Sequence, residues 1–410
     1  MPKDAAQQQQ NLVEKINSLT LAFAKAVGKH QTDKSDNLVV SPYNALSCLT
    51  MVSEGAAGNT RKEMDKALHK ANDAQGLSQL NDGILNANKG QVELKTANGV
   101  WVNKDILKLN EAYADDLKKL FGAEISEEDF SSLATVGKIN KWAGDNTNQL
   151  IKKVLDQLDG KDAAVLASAL YFKGEWTHKF DKTKTEDRAF TADDGAASVT
   201  PTMQQWYEKG RVRHLEGGDY EAIALTYGKE DREKGVSPTM RIVLVRPNEE
   251  AVSARDWLAA QGTGAKMPEW LDAFSYESVQ GNVTLPRMDI KQKHDLIPAL
   301  QDMGMKDAFN AGKADFSKMD AEGKKVLSVG KVSHDVVFKT NEEGSEAAAV
   351  TTAGMRRTSM SMPTPTIDIK FDRSFVFALQ DIKTGAVLFI GAVNKPNDEM
   401  KPAKKGPKPA

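Results

Sequence analysis

The stretch NEEGSEAAAVTTAGMRRTSMSMPTP, residues 341–365, differs from the chain on either side of it. It lies between two strand-like apolar runs, Val336 to Phe338 and Ile367 to Phe371, so the pattern predicts a loop of about 25 residues. Loops longer than about 12–15 residues inside a compact domain are mostly functional or disordered. This segment is therefore the first place to look for a function.

The first half of this loop alternates in a way that suits a strand. In a strand, the side chains of alternate residues share one face, and those of the residues between them share the opposite face. The first set is Ser345, Ala347, Ala349 and Thr351, and the second is Glu346, Ala348, Val350 and Thr352. The pattern suggests a loop that becomes a strand in a second state. Two alternatives remain open from the residues alone: a flexible linker, or a short helix capped by Ser345 through EAAAV.

Composition excludes several classes of protein. The 410 residues carry a net charge of −2, with 40% hydrophobic and 27% charged residues, as in ordinary globular proteins. This balance argues against general nucleic-acid or anionic-membrane binding. The single cysteine, Cys48, excludes an intramolecular disulfide and a multi-cysteine metal site. No apolar run approaches the ~18 residues of a membrane span.

The N-terminal sequence bears on location. Residues 1–10 lack the apolar core of a secretory signal, so the chain as written is expected in the cytoplasm. If a signal was removed from a longer precursor, the expectation becomes extracellular.

The order of apolar patterns predicts an α+β fold built as one unit. Helical periodicity covers Leu12 to Val27, and a short strand at Leu38 to Val40 follows. Ser41-Pro42 then opens a buried helix with Ser41 as its N-cap. Strands dominate after about residue 188. We expect a polar N-terminal extension over 1–11, one domain over 12–396, and a disordered Lys/Pro-rich tail over 397–410.

Signatures of catalysis are missing from the sequence. There is no phosphate-binding GxxxxGK[ST] motif, no HExxH motif and no GxSxG nucleophile elbow. The six histidines are scattered without metal-ligand spacing. The sequence therefore predicts neither an enzyme nor a metal or cofactor site.

Seven segments in order give the chain a resemblance to the serpin family. They are NLVVSPYNALSCLTMVSEGAAGNTRKEM (37–64), ANGVWV (97–102), LASALYFKGEW (166–176), LPRMDI (285–290), LQDMGMKDAF (300–309) with ADFS (314–317), NEEGSEAAAV (341–350) and FVFALQDIKTGAVLFIGAVNKP (375–396). Each is weak alone, but together they cover the chain from about Leu12 to Pro396.

The resemblance implies a single domain of three β-sheets and about nine helices, with an exposed reactive-centre loop at about 342–366. In that family a protease attacks the loop and forms an acyl-enzyme. The loop then inserts into the central sheet and carries the tethered protease with it. The resemblance thus implies a monomeric suicide inhibitor of serine proteases. A non-inhibitory binding or chaperone serpin, or a cross-class inhibitor of cysteine proteases, is the alternative.

The resemblance also assigns roles to particular residues. The hinge pattern of inhibitory members is matched by Glu342, Glu343, Gly344, Ser345, Glu346, Ala347, Ala348 and Ala349. The residues that match the family's positions around the opening of the central sheet are Ser41, Asn44, Ser168, Trp176, Arg287 and His334. Ser168 stands where the family usually has Asn, and Asn44 where it usually has Ser. An Arg287–Glu342 ion pair is expected to restrain premature opening.

Three bonds compete as the site of protease attack. Family spacing indicates Thr358-Ser359, whereas the dibasic Arg356-Arg357 favours Arg357-Thr358, and Met360-Ser361 resembles the bait of elastase inhibitors. We favour Arg357, because a trypsin-like pocket holds a cationic side chain against a buried carboxylate. The expected partners are trypsin-like or dibasic-cleaving serine proteases, followed by subtilisin-like or elastase-like ones.

Overall fold

The computed structural model describes residues 3–160, 162–248, 253–261, 268–272, 275–325, 327–345, 366–397 and 401–402. Within these ranges the helices are α1 (Lys3–His30), α2 (Pro42–Gly55), α3 (Gly58–Ala67), α4 (Ala74–Asn88), α5 (Glu111–Phe121), α6 (Leu133–Asn146), α7 (Ala254–Ala260) and α8 (Ile297–Asp302). None of these described helices combines the length and apolarity needed to cross a membrane.

The strands in the same ranges are β1 (Leu38–Val40), β2 (Glu93–Asn103), β3 (Glu124–Glu128), β4 (Ala164–Glu175), β5 (Glu186–Thr191), β6 (Ala197–Glu216), β7 (Tyr220–Tyr227), β8 (Met240–Pro247), β9 (Glu277–Pro286), β10 (Met288–Asp295), β11 (Lys331–Thr340), β12 (Gly344–Ser345), β13 (Thr366–Lys370), β14 (Phe375–Asp381), β15 (Val387–Val393) and β16 (Lys401–Pro402). The chain is thus α+β, as the sequence predicts.

The strands form two hydrogen-bonded sheets in the described part of the chain, where the resemblance implies three. The larger has ten strands in the order β1-β15-β14-β8-β7-β6-β9-β13, with β5 and β16 also on β6. The 20-residue β6 pairs with β9 over much of its length and with β7 at its end, so it joins two groups of strands into one ladder. Eight α-helices are described rather than about nine, and three further segments form single 3-10 turns.

The smaller sheet holds the features that matter for function. Its six strands run β10-β11-β4-β2-β3, and β12 is added to β4. One face of this sheet packs on the main hydrophobic core through Leu170, Phe172 and Phe338. The other face packs under α6, where Trp101, Val165 and Ile139 form a second cluster. A strand entering this sheet would therefore meet a large core on one side and α6 on the other.

The chain ends differ from their predicted forms. Helix α1 begins at Lys3 rather than Leu12, because the alanines and glutamines before Leu12 are good helix formers that extend it into solvent. In the tail, Lys401 and Pro402 pair with Val199 and Ser198 of β6, so this part is strand rather than disordered. Residues 403–410 lie outside the described ranges.

Candidate functional site

A gap separates the two central strands of the smaller sheet. The parallel strands β4 and β11 pair with each other at Lys331 with Val165 and at Val332 with Leu166. Over the rest of their described lengths the strands have no further direct pairing. Unpaired strand edges offer backbone N–H and C=O groups to an added strand. Among the described residues, the facing edges of β4 and β11 are therefore not paired with each other between these two pairs and the upper end of β4.

The hinge already forms a hairpin at the upper end of this gap. Asn341 and Gly344 form a bridge, with Asn341 N donating to Gly344 O at 2.8 Å, and Glu342 and Glu343 form the two-residue tip. Beyond the tip, β12 pairs antiparallel with β4, Gly344 opposite Glu175 and Ser345 opposite Gly174. The backbone of Gly344 has φ +149°, and a Cβ there would lie 2.0 Å from Gly174 O. Only glycine fits this close approach.

Trp176 and Tyr227 contact the hairpin and each other. Their rings stack at 4.2 Å between centroids, and Trp176 Nε1 donates to Asn341 O at 2.8 Å. The backbone N–H of Trp176 donates to Glu343 O at 2.8 Å. The Tyr227 hydroxyl lies 2.9 Å from the hydroxyl of Ser345, which is 1% exposed. Trp176 therefore lies at the entry of the gap, and Tyr227 is a contributor that the sequence did not reveal.

Glu342 makes the predicted ion pair with Arg287. The guanidinium binds in bidentate fashion, with Nη2 2.7 Å from Oε1 and Nε 3.1 Å from Oε2. The Thr185 hydroxyl also donates to Oε1. Burial alone raises the pKa of the Glu342 carboxyl, but the hydrogen bonds from Arg287 and Thr185 outweigh it, so the pKa lies below its ordinary value.

Glu343 is held by a second set of cations. Its side chain is 7% exposed, and both Lys179 Nζ and Lys182 Nζ lie 2.7 Å from its carboxylate oxygens. Burial opposes ionisation here as well, but the two lysines lower the pKa of the Glu343 carboxyl below its ordinary value. The two glutamates of the hairpin tip are thus both ionised and both anchored.

A buried histidine pair lies farther down the gap, at the end of β1. His334 of β11 accepts a hydrogen bond at Nε2 from Ser41 N at 2.9 Å, so that nitrogen carries no proton. Burial, followed by the nearby charge of His294, lowers the pKa of His334 to about 3. The hydroxyl of Ser41 donates to Leu388 O at 2.7 Å instead of capping α2, a correction to its predicted N-cap bond.

Asn44 and Ser168 link helix α2 to strand β4 across the same region. Ser168 Oγ lies 2.6 Å from Asn44 Oδ1 and 2.8 Å from Asn98 Oδ1. The exchange of Asn and Ser relative to the family pattern therefore still leaves a hydrogen-bonded pair, because each position supplies the type of group that the other usually has.

Seven predicted site residues lie outside the described ranges. They are the hinge residues Glu346, Ala347, Ala348 and Ala349 and the reactive-bond candidates Arg357, Thr358 and Ser359.

The structure adds Thr185, Lys179, Lys182, Tyr227, Asn98 and His294 to the site. The lysine-rich segment KFDKTKT (179–185) is evident in the sequence, but nothing in it indicates that Lys179 and Lys182 contact Glu343.

Groups that suggest catalysis are scarce in the described residues. No three His, Cys, Asp or Glu side chains cluster there as metal ligands would. Cys48 is buried, which raises the pKa of its thiol to about 12, so it is a poor nucleophile.

Comparisons with known proteins show the family of the chain. Residues 14–396 match the family described as Serpin (serine protease inhibitor). Among curated proteins, Serpin B6 of Macaca fascicularis is 32% identical, with 94% of this chain and 99% of the relative covered. The leukocyte elastase inhibitor of Equus caballus is 30% identical, with 94% and 100% covered.

Solved structures show the same fold. The native thermophilic serpin Tengpin superposes with a TM-score of 0.79 at 24% identity, with 94% of each chain covered. Human thyroxine-binding globulin superposes with a TM-score of 0.75 at 24% identity, with 94% of this chain and 100% of the other covered.

Proposed function

The chain belongs to the serpin family, a family of protease inhibitors rather than enzymes, and we propose that it is a suicide inhibitor of serine proteases. The observation that carries this proposal is the hinge hairpin at the mouth of the open gap. Its first two strand residues, Gly344 and Ser345, already pair with β4 in the antiparallel sense that an inserted strand requires.

The two registers around the hairpin agree with each other. Continued along β4, the pairing of Ser345 with Gly174 brings Ala353 opposite Leu166. Continued along β11, the bridge of Asn341 with Gly344 brings Ala353 opposite Val332. Leu166 and Val332 pair directly with each other in this structure. One strand can therefore fill the gap without a change of register on either side.

The register also explains the alternation in the loop. Ser345, Ala347, Ala349 and Thr351 would face the main core, since their partners on β4 and β11 include Phe172, Phe338 and His334. The alternate set, Glu346, Ala348, Val350 and Thr352, would face α6. The core side thus receives only small side chains, which suits a space between strands that are already packed.

The proposed reaction begins when the hydroxyl of the protease serine attacks the carbonyl carbon of the bait residue. The peptide C–N bond breaks, the amine leaves with a proton, and the loop remains attached to the protease as an ester. Insertion of ~14 residues at ~3.3 Å each then moves the ester about 45 Å. The protease is distorted against the inhibitor before water reaches the ester, so both molecules are consumed.

We propose Arg357-Thr358 as the bond attacked, with Thr358-Ser359 and Met360-Ser361 as competitors. A cationic residue at this place suits trypsin-like or dibasic-cleaving proteases. The dipeptide Met360-Ser361 resembles the bait of elastase inhibitors, and elastase-like or subtilisin-like proteases are the second choice of target.

A second candidate function is non-inhibitory binding. It is favoured by the likeness of the fold to thyroxine-binding globulin, a protein whose name states that it binds thyroxine. The hinge from Ser345 to Gly354 argues against it, because its residues are small and free of proline, and its one charged residue, Glu346, belongs to the set that would face away from the main core. Inhibition of cysteine proteases would use the same hinge with a thioester in place of the ester.

Incubation with trypsin, elastase and subtilisin tests the proposal. An inhibitor forms a complex with at least one protease that survives SDS, and mass spectrometry of the released peptide identifies the bond cut. Cleavage of the loop by all three without any stable complex would refute inhibition and favour a binding serpin. A parallel assay with papain separates the cysteine-protease alternative.

A further inference from the structure

We infer that Glu343, through Lys179 and Lys182, is a positioning residue that keeps the hinge hairpin formed and thereby accelerates loop insertion. This inference rests on the proposed inhibitory function and goes beyond it, because it assigns the rate of the decisive step to three side chains. We call Glu343, Lys179 and Lys182 the hinge clasp.

The hinge clasp connects the hairpin tip to the strand that receives the loop. Lys179 and Lys182 lie in the segment between β4 and β5, and Lys179 also pairs with Glu175 at the end of β4, at 2.9 Å. Lys182 begins the 3-10 turn Lys182–Lys184, which is capped by Asp181. Both cations are therefore fixed relative to β4, and through Glu343 they fix the tip of the hairpin relative to β4.

The carboxylate of Glu343 depends on these cations. At 7% exposure it has lost most of its hydration, and an ion in such a place is stable only with close opposite charges. Lys179 approaches one oxygen and Lys182 the other, each at 2.7 Å. Removal of either lysine leaves one oxygen without its cation, so the tip would move toward solvent.

The direction of the effect follows from what insertion changes. In the register proposed above, the turn at Glu342-Glu343 keeps its place when the strand extends from Ser345, so insertion would not break the hinge clasp. Forming a new hairpin turn requires ordering several residues before any strand contact compensates. Because the turn is already formed, each inserted residue pairs next to a residue that is already ordered. Loss of the hinge clasp should therefore slow insertion rather than free it.

The experiment measures how many inhibitor molecules are consumed per protease inhibited, because insertion competes with hydrolysis of the ester. Lys182→Met is compared with Lys184→Met, a lysine of the same turn that is 47% exposed and lies 3.9 Å from Asp181. We expect insertion to slow about fivefold for Lys182→Met, which corresponds to ~1 kcal/mol, so that the number consumed in excess of one per protease rises about fivefold. Lys184→Met should match the unmodified chain.

A charge exchange and a second readout separate positioning from general stability. Glu343→Lys alone should raise the number consumed, and its combination with Lys182→Glu should restore it in part. The second-order rate of protease association should stay unchanged in all variants, since recognition of the bait precedes insertion. If the unmodified chain forms complexes but Lys182→Met and Lys184→Met behave alike, the inference is overturned. If the unmodified chain forms no complex, the proposed function itself is refuted.

Discussion

The substitution Ala347→Arg should convert the inhibitor into a substrate. In the inserted strand, the register places residue 347 opposite Phe172 of β4 and Phe338 of β11. Phe172 packs edge-on against Tyr227 at 5.1 Å, and Phe338 stacks on Phe377 at 4.5 Å. An arginine here would have to enter a space lined by aromatic rings and without an opposite charge.

The size of the effect follows from the loss of hydration. An unpaired ion in an apolar interior costs several kcal/mol even after relaxation, and overpacking adds about 1–3 kcal/mol. If half of ~4 kcal/mol is felt at the transition state for insertion, insertion slows about 30-fold. Hydrolysis of the ester would then win in most encounters, and the protease would be released active.

Glu346→Arg is the matched control, because the same register places residue 346 opposite Lys173 and Lys339, whose side chains are partly exposed. Repulsion between screened surface charges amounts to no more than ~1 kcal/mol, so this variant should remain an inhibitor. The assay titrates protease with each variant and separates complex from cleaved inhibitor on SDS gels. Complex formation by Ala347→Arg at the unmodified level would refute the proposed register.

Three further predictions follow from the site. Loss of the Arg287–Glu342 pair in Glu342→Lys should release the hairpin and open the gap to the loop of another molecule, so polymers should appear on native gels; a stable monomer would contradict this. Because the pKa of His334 is lowered to about 3 from an ordinary 6.5, unfolded chains bind more protons in this range, and native stability should fall by about 2 kcal/mol from pH 7 to pH 5 in urea titrations. His294, which faces His334 and also has a lowered pKa, acts in the same direction, and a flat profile would show that neither group stays neutral. Arg357→Ala should abolish inhibition of trypsin-like proteases but leave the fold intact, and unchanged inhibition would move the bait bond elsewhere.

The sequence predicts a strand for the hinge from a period of two residues within one segment, and of these residues the structure describes Gly344 and Ser345, which form β12. The placing of Glu342 near Arg287 came from the family pattern. The hinge clasp could not be predicted, since Glu343 and its lysines are more than 150 residues apart and nothing local distinguishes Lys182 from Lys184. Such pairs depend on how β4 and β11 are arranged in space.

The number of sheets was also beyond the reach of sequence. The run that forms β6 contains Pro201 and Gly210, which do not indicate a continuous strand, and the register on β9 shifts between Tyr207 and Val212. Whether two groups of strands join depends on how that run pairs along its length. The tail illustrates the same limit. Lys401 and Pro402 lie in a Lys/Pro-rich segment that favours disorder, yet their backbone pairs with an open stretch of β6.

A crystal structure of the loop-cleaved protein would test the proposed loop insertion most directly. We predict that residues 346–352 form a strand between β4 and β11, antiparallel to both, with the Cα of Ala347 about 5 Å from the Cα of Phe338. The direct pair of Val332 with Leu166 should be separated if the strand extends to Ala353. A cleaved protein whose loop stays outside the sheet, with the gap unchanged, would contradict inhibition by loop insertion.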